Sequence, residues 1–419
     1  MGEGMKASGS LLDPAIQKCP YPFFDAVRAQ EGVYKDPKTG FYVVTRYDDA
    51  RRVLSDPALF SSAGYIKHVK SFQSEERNAR VRKTFEEKGW VPGGSVSWLD
   101  DPEHEAVRSL FDKAFRAGKI TEMDPAIEAT VRTIISRFAE RRKFDAMADF
   151  GVPIPLTIIM RQMGAGEQDM MVIKHWLDSW TIRMGMMLNE EEEIQSVLEE
   201  IEAQHYFKPI IDRMRAEPDG SVLSDLINTP MPDGSTLSDN DILGLIMSDT
   251  FVAGSETTRN ALAIGVLQLC RDPHVQETLR ADPDRYIPVF IEEVLRLEAP
   301  VQMAARIAQR DTEIGGFPIP AGAVIDVRFG AANRDSNKFS CPEKLDLHRP
   351  KAGAHLTFGS GIHHCMGAPL ARREMHWAFK VLLETTRNLR LAPGQPEPGY
   401  DAHYMALMIR PFEVEFDIP

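Results

Sequence analysis

A long buried helix in the middle of the chain is the feature that most constrains the fold. Helical periodicity runs from residue 238 to about residue 270 and stops before Pro273, a stretch of roughly 33 residues and on the order of 50 Å. Ser238 and Asp241 resemble a capping box at its start, with Asp in place of the usual Glu. The middle is apolar on most faces, so the helix should run through the core of a mainly helical fold.

Small and polar residues interrupt the middle of this helix. They are Gly254, Ser255, Glu256, Thr257 and Thr258. Glycine inside a helix costs about 1 kcal/mol relative to alanine, and a buried carboxylate costs more unless it has a partner. One explanation is a kink or a notch for helix packing. The other is a groove in which a bulky ligand lies against Ala253 and Gly254, with a carboxyl and a hydroxyl group beside it.

The segment FGSGIHHCMG, residues 358–367, places Cys365 among three glycines and two histidines. Glycine lets the backbone approach a ligand closely, and a thiolate is a strong soft ligand for a transition metal. The helix start that follows, at Ala368 and Pro369, lowers the pKa of a neighbouring thiol. A buried, inert cysteine is the alternative. Because one cysteine fills only one coordination position, a metal role requires the rest of the chain to supply the others.

Size and charge limit the possible function classes. The chain has 419 residues, a net charge of −13 and four cysteines, none of them in a CxxC pair. The acidic balance argues against a nucleic-acid-binding protein, and the cysteine pattern argues against a zinc ribbon or a disulfide framework. The N-terminus lacks a signal-peptide pattern, and no run of 18 or more apolar residues predicts a membrane span. We therefore expect a cytoplasmic protein without a membrane anchor.

No repeat, low-complexity block or linker divides the chain. We predict an N-terminal tail at residues 1–19 and one mainly helical domain with small β-sheets at residues 20–419. Runs of β-branched and aromatic residues predict strands near residues 40–45, 303–308, 312–315 and 324–328, and a β-rich end after residue 399. The charged part of residues 62–97 is interpreted as a solvated surface excursion.

Two pairs of charged residues fall on single helix faces. His104 and Arg108 are four residues apart, in a helix predicted to run to about residue 117. They indicate either an exposed or ion-paired surface or an anion site. Glu293 and Arg296 are three residues apart, and an exposed ion pair of this kind would contribute little to stability.

Together these features resemble the cytochrome P-450 family of haem-thiolate monooxygenases, in its soluble bacterial form. In chain order they are His104 with Arg108, the AGSETT segment at residues 253–258, Glu293 with Arg296, Arg349, and the cysteine segment. The resemblance extends from about residue 20 to the end of the chain. It implies a single-domain fold, mainly α with small β-sheets, that holds haem b between the central helix and the cysteine segment with its following helix.

The resemblance also implies roles for individual residues. Cys365 would be the axial thiolate ligand of the haem iron, and Glu256 and Thr257 would be the acid–alcohol pair that relays protons to bound oxygen. The residues expected to contact the haem propionates are His104, Arg108, Arg306 and His363. Other expected haem contacts are Ala253, Gly254, Phe358, Gly359 and Gly367. Glu293, Arg296 and Arg349 would form a buried structural network.

The expected substrate is a hydrophobic small molecule, such as a terpenoid, steroid, fatty acid or aromatic compound. Its expected contacts are Ser97, Trp98, Thr250, Val301, Met303, Ala304 and Met405. No charged anchor for the substrate is predicted. A haem-thiolate isomerase or peroxygenase is a second hypothesis, which the Glu256 and Thr257 pair disfavours, and a haem sensor or carrier is a third.

The resemblance implies that O2 is the second substrate and that electrons come from outside the chain. We expect them from a ferredoxin that is reduced by an NAD(P)H-dependent ferredoxin reductase. Because the protein is acidic overall, docking of an acidic ferredoxin requires a local basic patch. The candidates are Lys113, Arg116, Lys119, Arg372 and Arg373, for which an ordinary solvated surface is the alternative.

Overall fold

The computed structural model describes residues 8–30, 32–64, 73–185 and 187–419. The α-helices in these residues are Pro14–Lys18, Tyr21–Ala29, Tyr47–Ser55, Glu75–Lys88, Glu103–Ala114, Ala117–Glu122, Asp124–Ala139, Pro153–Gln162, Met170–Met184, Glu190–Ala216, Val222–Asn228, Asp239–Leu245, Thr257–Arg271, Pro273–Ala281, Pro283–Leu297, Phe329–Ala332 and Ala368–Thr385. The strands are β1 (Val33–Lys35), β2 (Tyr42–Val44), β3 (Phe60–Ser61), β4 (Lys143–Asp145), β5 (Met303–Ala308), β6 (Thr312–Ile314), β7 (Phe317–Ile319), β8 (Val324–Arg328), β9 (Arg387–Leu391), β10 (Tyr400–Asp401), β11 (Met408–Ile409) and β12 (Glu413–Asp417). Helices dominate, which confirms the mainly helical class.

The predicted central helix is present as one helical run with a change of geometry in its middle. Asp239–Leu245 is α-helical, Ile246–Glu256 is π-helical and Thr257–Arg271 is α-helical. Ser238 and Asp241 form the predicted capping box. The helical run and its start are therefore confirmed, whereas the π-helical middle was not predicted.

Side-chain hydroxyl groups bond to the main chain within the π-helical stretch. Thr250 Oγ1 donates to the Leu245 carbonyl at 2.7 Å, and Ser255 Oγ donates to the Phe251 carbonyl at 2.6 Å. Such bonds compete with the regular helix ladder and bend helices, and π-helical turns are frequent at functional sites. The polar interruption seen in the sequence thus coincides with locally altered helix geometry.

The largest sheet has the strand order β1-β2-β8-β5-β3. β2 and β8 are parallel, and the other neighbouring pairs are antiparallel. Met303 and Arg306 on β5 are both buried. The sheet thereby fixes the position of residues that were predicted to contact the substrate and the haem.

A buried ion-pair network joins the three residues predicted to have a structural role. Arg296 donates two hydrogen bonds to Glu293, at 2.6 and 2.9 Å, and Arg349 donates one to Glu293 at 2.8 Å. Remaining N–H groups of Arg296 bond to the carbonyls of Pro342 and Lys344. The side chains of Glu293 and Arg296 are 0% exposed. Each charge in this network has an internal partner of opposite sign.

Two segments are more tightly packed than the sequence suggested. Leu11, within the predicted N-terminal tail, is buried, and its N–H donates to Asp36 at 2.7 Å. The helix Glu75–Lys88, in the charged stretch interpreted as a solvated excursion, packs on Glu190–Ala216 and buries Phe85. Long-range packing, which local charge does not reveal, accounts for this difference. Residues 65–72 lie outside the described residues. No helix among those described is both long and apolar enough to cross a membrane.

Candidate active site

A cavity of about 400 Å³ lies between the central helix and the cysteine segment. Every predicted substrate contact lines it, as do Glu256, Thr257 and Cys365. The predicted haem contacts that line it are Arg108, Ala253, Gly254, Arg306, Phe358, Gly359, His363 and Gly367. His104 lies beside the cavity, next to the ring of His363. The fold thus brings the predicted site residues together from distant parts of the chain.

Cys365 lines the cavity, and its sulfur is accessible from it. Enclosure by protein raises the pKa of its thiol, while hydrogen bonds from the backbone N–H groups of Gly367 and Ala368 act in the opposite direction. These N–H groups point at the sulfur and stabilise negative charge on it. Coordination to a metal cation would favour the thiolate further. The surroundings therefore suit a metal-bound thiolate better than a free thiol.

Two glycines set the path of the cysteine segment. Gly359 and Gly361 both have φ of +71°, in the left-handed region that favours glycine. At Gly361 a Cβ atom would collide with the carbonyl oxygen of Leu54. The guanidinium of Arg372 lies 4.4 Å from the ring centre of Phe358. Backbone conformation and close packing, rather than regular structure, hold this segment in place.

Basic side chains predicted to contact the propionates form a buried cluster. The ring centres of His104 and His363 are 4.3 Å apart. His104 Nδ1 pairs with Asp101 at 3.0 Å, and His363 Nε2 lies 2.9 Å from Ser62 Oγ. The Nε2 atom of His104 is buried and has no hydrogen-bond partner among the described residues. A polar atom left in this way is costly unless a ligand satisfies it.

Arg306 completes this cluster from β5 and is 4% exposed. Its guanidinium donates to the carbonyl of the adjacent Ala305 at 2.7 Å. Burial lowers the pKa of Arg306 to about 10, although the Asp100 carboxylate opposes the shift. Burial and the charges of Arg306 and His104 lower the pKa of His363 to about 3. The surroundings therefore disfavour positive charge on Arg306 and His363. An anionic ligand would stabilise that charge.

Arg108 was also predicted to contact the propionates, and it lines the cavity. Its guanidinium donates to the carbonyls of Ile362 and His364, at 3.2 and 2.7 Å, and to Asp112 at 2.9 Å. These bonds tie the helix Glu103–Ala114 to the cysteine segment. The predicted propionate contact remains a prediction, and the geometry adds a second task for Arg108, which is to position the segment that carries Cys365.

Glu256 and Thr257 lie where the π-helical stretch gives way to the α-helix. Glu256 is 5% exposed and pairs with Arg259, which donates to Asp178 Oδ1 at 2.9 Å. Burial raises the pKa of Glu256 to about 7, with Arg259 opposing the shift and Asp178 adding to it. Thr257 Oγ1 donates to the Ala253 carbonyl at 2.8 Å. An acid that titrates near neutral pH thus lies beside a hydroxyl group.

The sequence analysis did not identify the partners of Glu256. Arg259 is three residues further along the helix, and this spacing was a usable signal. Asp178 lies on the separate helix Met170–Met184 and pairs with Lys174 as well. No local pattern connects Asp178 with Arg259, so only the tertiary structure reveals this ion pair.

Asp249 is a cavity-lining residue that the sequence analysis missed. No charged residue was expected in the substrate wall, yet Asp249 lies in it. Asp249, Ala253 and Thr257 follow one another at intervals of four residues, so helical spacing places them on about the same face. A carboxylate at this spacing in an otherwise apolar run is the signal that identifies it.

The predicted basic patch is largely occupied by ion pairs. Arg372 donates to Glu292 at 2.6 and 3.0 Å, and Arg373 and Lys119 pair with Asp124 and Asp225. Lys113 and Arg116 are exposed and form no ion pair within the part of the chain that the structure describes. The positive charge available to a partner on this side is therefore smaller than the sequence suggested.

The residues of the cavity fit a haem group. Two carboxylates at the edge of the group would supply an acceptor to His104 Nε2, which has none among the described residues, and a charged acceptor to Arg306, which donates to a backbone carbonyl. Cys365 offers sulfur to an iron ion from the cavity wall, and thiolate is an established haem ligand. Ala253, a small side chain on the central helix, is exposed to the cavity and leaves room for a flat ligand.

Comparisons with known proteins agree with this geometry. The sequence profile of the family described as Cytochrome P-450 matches residues 55–416. Cytochrome P-450 CYP107DY1 of Priestia megaterium is 34% identical over 358 residues, which cover 84% of each chain. The structure of cytochrome P-450 CYP109Q5 from Chondromyces apiculatus matches with a TM-score of 0.83 and 26% identity, covering 99% of this chain and 100% of that chain.

A further solved structure is P-450BioI in complex with an acyl carrier protein that is ligated to hexadec-9Z-enoic acid. It matches with a TM-score of 0.84 and 27% identity, covering 96% of this chain and 100% of that chain. The chain therefore belongs to the cytochrome P-450 family. Members of this family are monooxygenases that bind haem b, so this protein is a haem-dependent oxidoreductase, and the predicted fold is confirmed.

Proposed function

We propose that this protein is a monooxygenase that oxidises a hydrophobic small molecule, with electrons from a ferredoxin and an NAD(P)H-dependent ferredoxin reductase. One observation carries the proposal: a single cavity joins Cys365, the Glu256 and Thr257 pair, and an apolar wall. A haem sensor or carrier requires no acid–alcohol pair beside the ligand site. The same pair disfavours an isomerase or a peroxygenase, which do not need protons delivered to bound oxygen.

Several residues of the chain would hold the haem. Cys365 would bind the iron, while His104, Arg306 and His363 would donate to the propionates. Ala253, Gly254, Phe358, Gly359 and Gly367 would flank the group. Arg108 would position the cysteine segment through its bonds to the carbonyls of Ile362 and His364. The bound haem supplies the binding and reduction of O2 at its iron.

Glu256 would hold and deliver the protons that oxygen reduction requires. A general acid works best when its pKa lies near the working pH, and burial raises the pKa of Glu256 to about 7. Arg259 pairs with both Glu256 and Asp178, so this network holds the Glu256 carboxyl group in place while that group takes up and releases the proton. The Thr257 hydroxyl, which donates to the Ala253 carbonyl, lines the same cavity and would be a second group able to hold and move a proton there.

The apolar part of the cavity would bind the substrate and keep water away from the reacting atoms. Val301, Met303, Ala304, Met405 and Trp98 all line it. Ser97 and Thr250 also line it, although Thr250 is almost fully buried. Such a wall suits a terpenoid, steroid, fatty acid or aromatic compound. Exclusion of water strengthens the electrostatic interactions of Glu256 inside the cavity.

Substitution of the proposed relay tests this function. In Thr257→Ala we expect haem and substrate binding to persist, because the hydroxyl contributes to neither. The product formed per NAD(P)H should fall by about tenfold or more, with hydrogen peroxide formed instead, since general acid–base groups contribute factors of this order. Thr258→Ala, the adjacent buried threonine, is the matched control and should behave as wild type. Wild-type product yield in Thr257→Ala would rule out its role.

Lys113 and Arg116 are the residues that we propose for ferredoxin docking. Arg372 and Arg373 are less suitable targets, because replacing them would leave Glu292 and Asp124 without these partners. The double variant Lys113→Glu, Arg116→Glu should weaken ferredoxin binding by about tenfold or more at low ionic strength, with a smaller effect at high salt. The control with the same charge change is Lys38→Glu, Lys88→Glu. Equal losses in both variants would contradict a local docking patch.

A further inference from the structure

Asp249 places a carboxylate in the wall of an otherwise mainly apolar cavity. It lies in the π-helical stretch, eight residues before Thr257, and lines the same cavity as Cys365. Its side chain is partly accessible, and because the residue is surrounded by protein this access is from the cavity. Asp249 therefore faces the space in which the substrate is proposed to bind.

The hydrogen-bond donors to Asp249 are all neutral. Ser95 Oγ donates to Oδ1 at 2.8 Å, and Ser248 Oγ donates to Oδ2 at 2.5 Å. The backbone N–H groups of Val96 and Ser97 donate as well. Among the described residues, no lysine, arginine or histidine forms an ion pair with it. Burial raises the pKa of Asp249 to about 6, which leaves the carboxylate form predominant at neutral pH.

Some buried carboxylates in this protein are neutralised by arginine, whereas Asp36 is held by neutral donors and Glu374 has no cationic partner among the described residues. Glu293 pairs with Arg296, and Asp326 pairs with Arg328. A desolvated carboxylate without such a partner is costly, and the cost falls when a cationic ligand binds. Asp36 is also held by neutral donors alone, but it is almost fully buried and does not line the cavity. Asp249 differs because its carboxylate is accessible from the cavity, so a cationic group of a ligand can reach it.

We propose that Asp249 binds a protonated amine of a lipophilic substrate. This inference rests on the proposed function and specifies its substrate class. Eight residues, about two helical turns, separate Asp249 from Thr257. The nitrogen would therefore lie at one end of the substrate, away from the carbon that is oxidised. An anionic head group, such as a free fatty-acid carboxylate, would be repelled at the Asp249 end.

Three probes with the same alkyl chain test the proposal: dodecylamine, dodecanol and dodecanoate. Each is titrated into the holoenzyme by calorimetry, with the haem absorption spectrum recorded in parallel. In wild type, dodecylamine should bind most tightly and dodecanoate most weakly. In Asp249→Asn, dodecylamine should lose about tenfold or more in affinity, because a hydrogen bond to a charged group is replaced. Dodecanol should change by less than about twofold, and dodecanoate should bind more tightly.

The control Asp233→Asn removes the same charge from an exposed loop and should leave all three affinities unchanged. Equal weakening of all three probes in Asp249→Asn would show a purely structural role and overturn the proposal. The proposal would also be overturned if wild type bound dodecanoate as tightly as dodecylamine. This result does not depend on whether the variant folds. A wild-type absorption spectrum typical of nitrogen bound to iron, recorded with dodecylamine, would overturn the proposal as well. The amine would then lie at the haem and not at Asp249. The proposed function fails separately, if the holoenzyme reduces O2 but oxidises no lipophilic compound.

Discussion

Two buried clusters of charged side chains differ in whether the protein completes them. In the network around Glu293, both arginines reach the carboxylate, and the remaining N–H groups bond to main-chain carbonyls. In the cluster of His104, Arg306 and His363, one buried ring nitrogen has no partner among the described residues, and Arg306 donates to the carbonyl of its neighbour Ala305. Buried arginine therefore stabilises the fold in one cluster and is available to an anionic ligand in the other.

Charge type alone therefore does not identify a site. Buried arginines that are fully satisfied by the chain hold elements together. Buried arginines and histidines that lack acceptors indicate what a ligand must bring. A substitution in the complete network should therefore affect folding. A substitution in the incomplete cluster should affect ligand affinity.

The largest effect is expected in the complete network. Arg296→Leu would leave Glu293 with one arginine partner instead of two in a fully buried position. Breaking a buried ion pair in this way costs about 3–5 kcal/mol, so the free energy of unfolding from urea denaturation should fall by that amount. Arg390→Ala is the control, since its pairing with Asp417 is about half exposed and should contribute about 1 kcal/mol or less. Similar losses in the two variants would contradict a structural role for the network.

A smaller effect, on a different quantity, is expected in the incomplete cluster. Arg306→Leu removes a propionate donor without stranding a protein carboxylate. Haem affinity, measured by transfer to an acceptor protein, should fall by about 10- to 100-fold, as expected for a hydrogen bond between charged groups. The unfolding free energy of the haem-free protein should stay the same or rise, because an unpaired buried charge is lost. A loss of apoprotein stability as large as that in Arg296→Leu would erase the contrast between the clusters.

Glu256 combines features of both clusters, because it pairs with an arginine and also lines the cavity. Its substitution should have the smallest effect of the three. Its pKa is raised to about 7 by burial, so the protonated form declines as pH rises through that value. Product per NAD(P)H should therefore fall by a few fold between about pH 6 and pH 8 in wild type. Glu256→Gln cannot titrate and should lower the yield and flatten this profile, whereas the exposed Glu397→Gln should retain it. An unchanged slope in Glu256→Gln would assign the pH dependence to another group.

Local features of the fold were predictable from the sequence. The central helix with its capping box, strands β5 and β8, and the helix after Cys365 follow from periodicity, capping residues and β-branched runs. The conformation of the cysteine segment also has a local cause, because glycine at 359 and 361 permits positive φ. The π-helical geometry of residues 246–256 was not predictable from periodicity, since both helix types carry the same apolar pattern.

Contacts between distant segments were predictable only through the family resemblance or not at all. Arg349 is 56 residues from Glu293, and nothing in its neighbourhood indicates that partner. The pairing of Arg372 with Glu292 and of Arg373 with Asp124 changed the expected basic patch for the same reason. Asp249 was not predicted, although its spacing from Ala253 and Thr257 placed it on about the same helix face; the tertiary structure shows that this position lines the cavity.

The most direct test of the account is the absorption spectrum of the reduced protein with carbon monoxide. Cys365 is the residue that would supply thiolate to the haem iron, and the red-shifted band of that complex would require thiolate coordination. Wild type and Cys19→Ala, whose sulfur is exposed outside the cavity, should both show the band. Cys365→Ala should lose it even when haem is retained. A normal red-shifted band in Cys365→Ala would contradict the assignment of Cys365 and with it the proposed site.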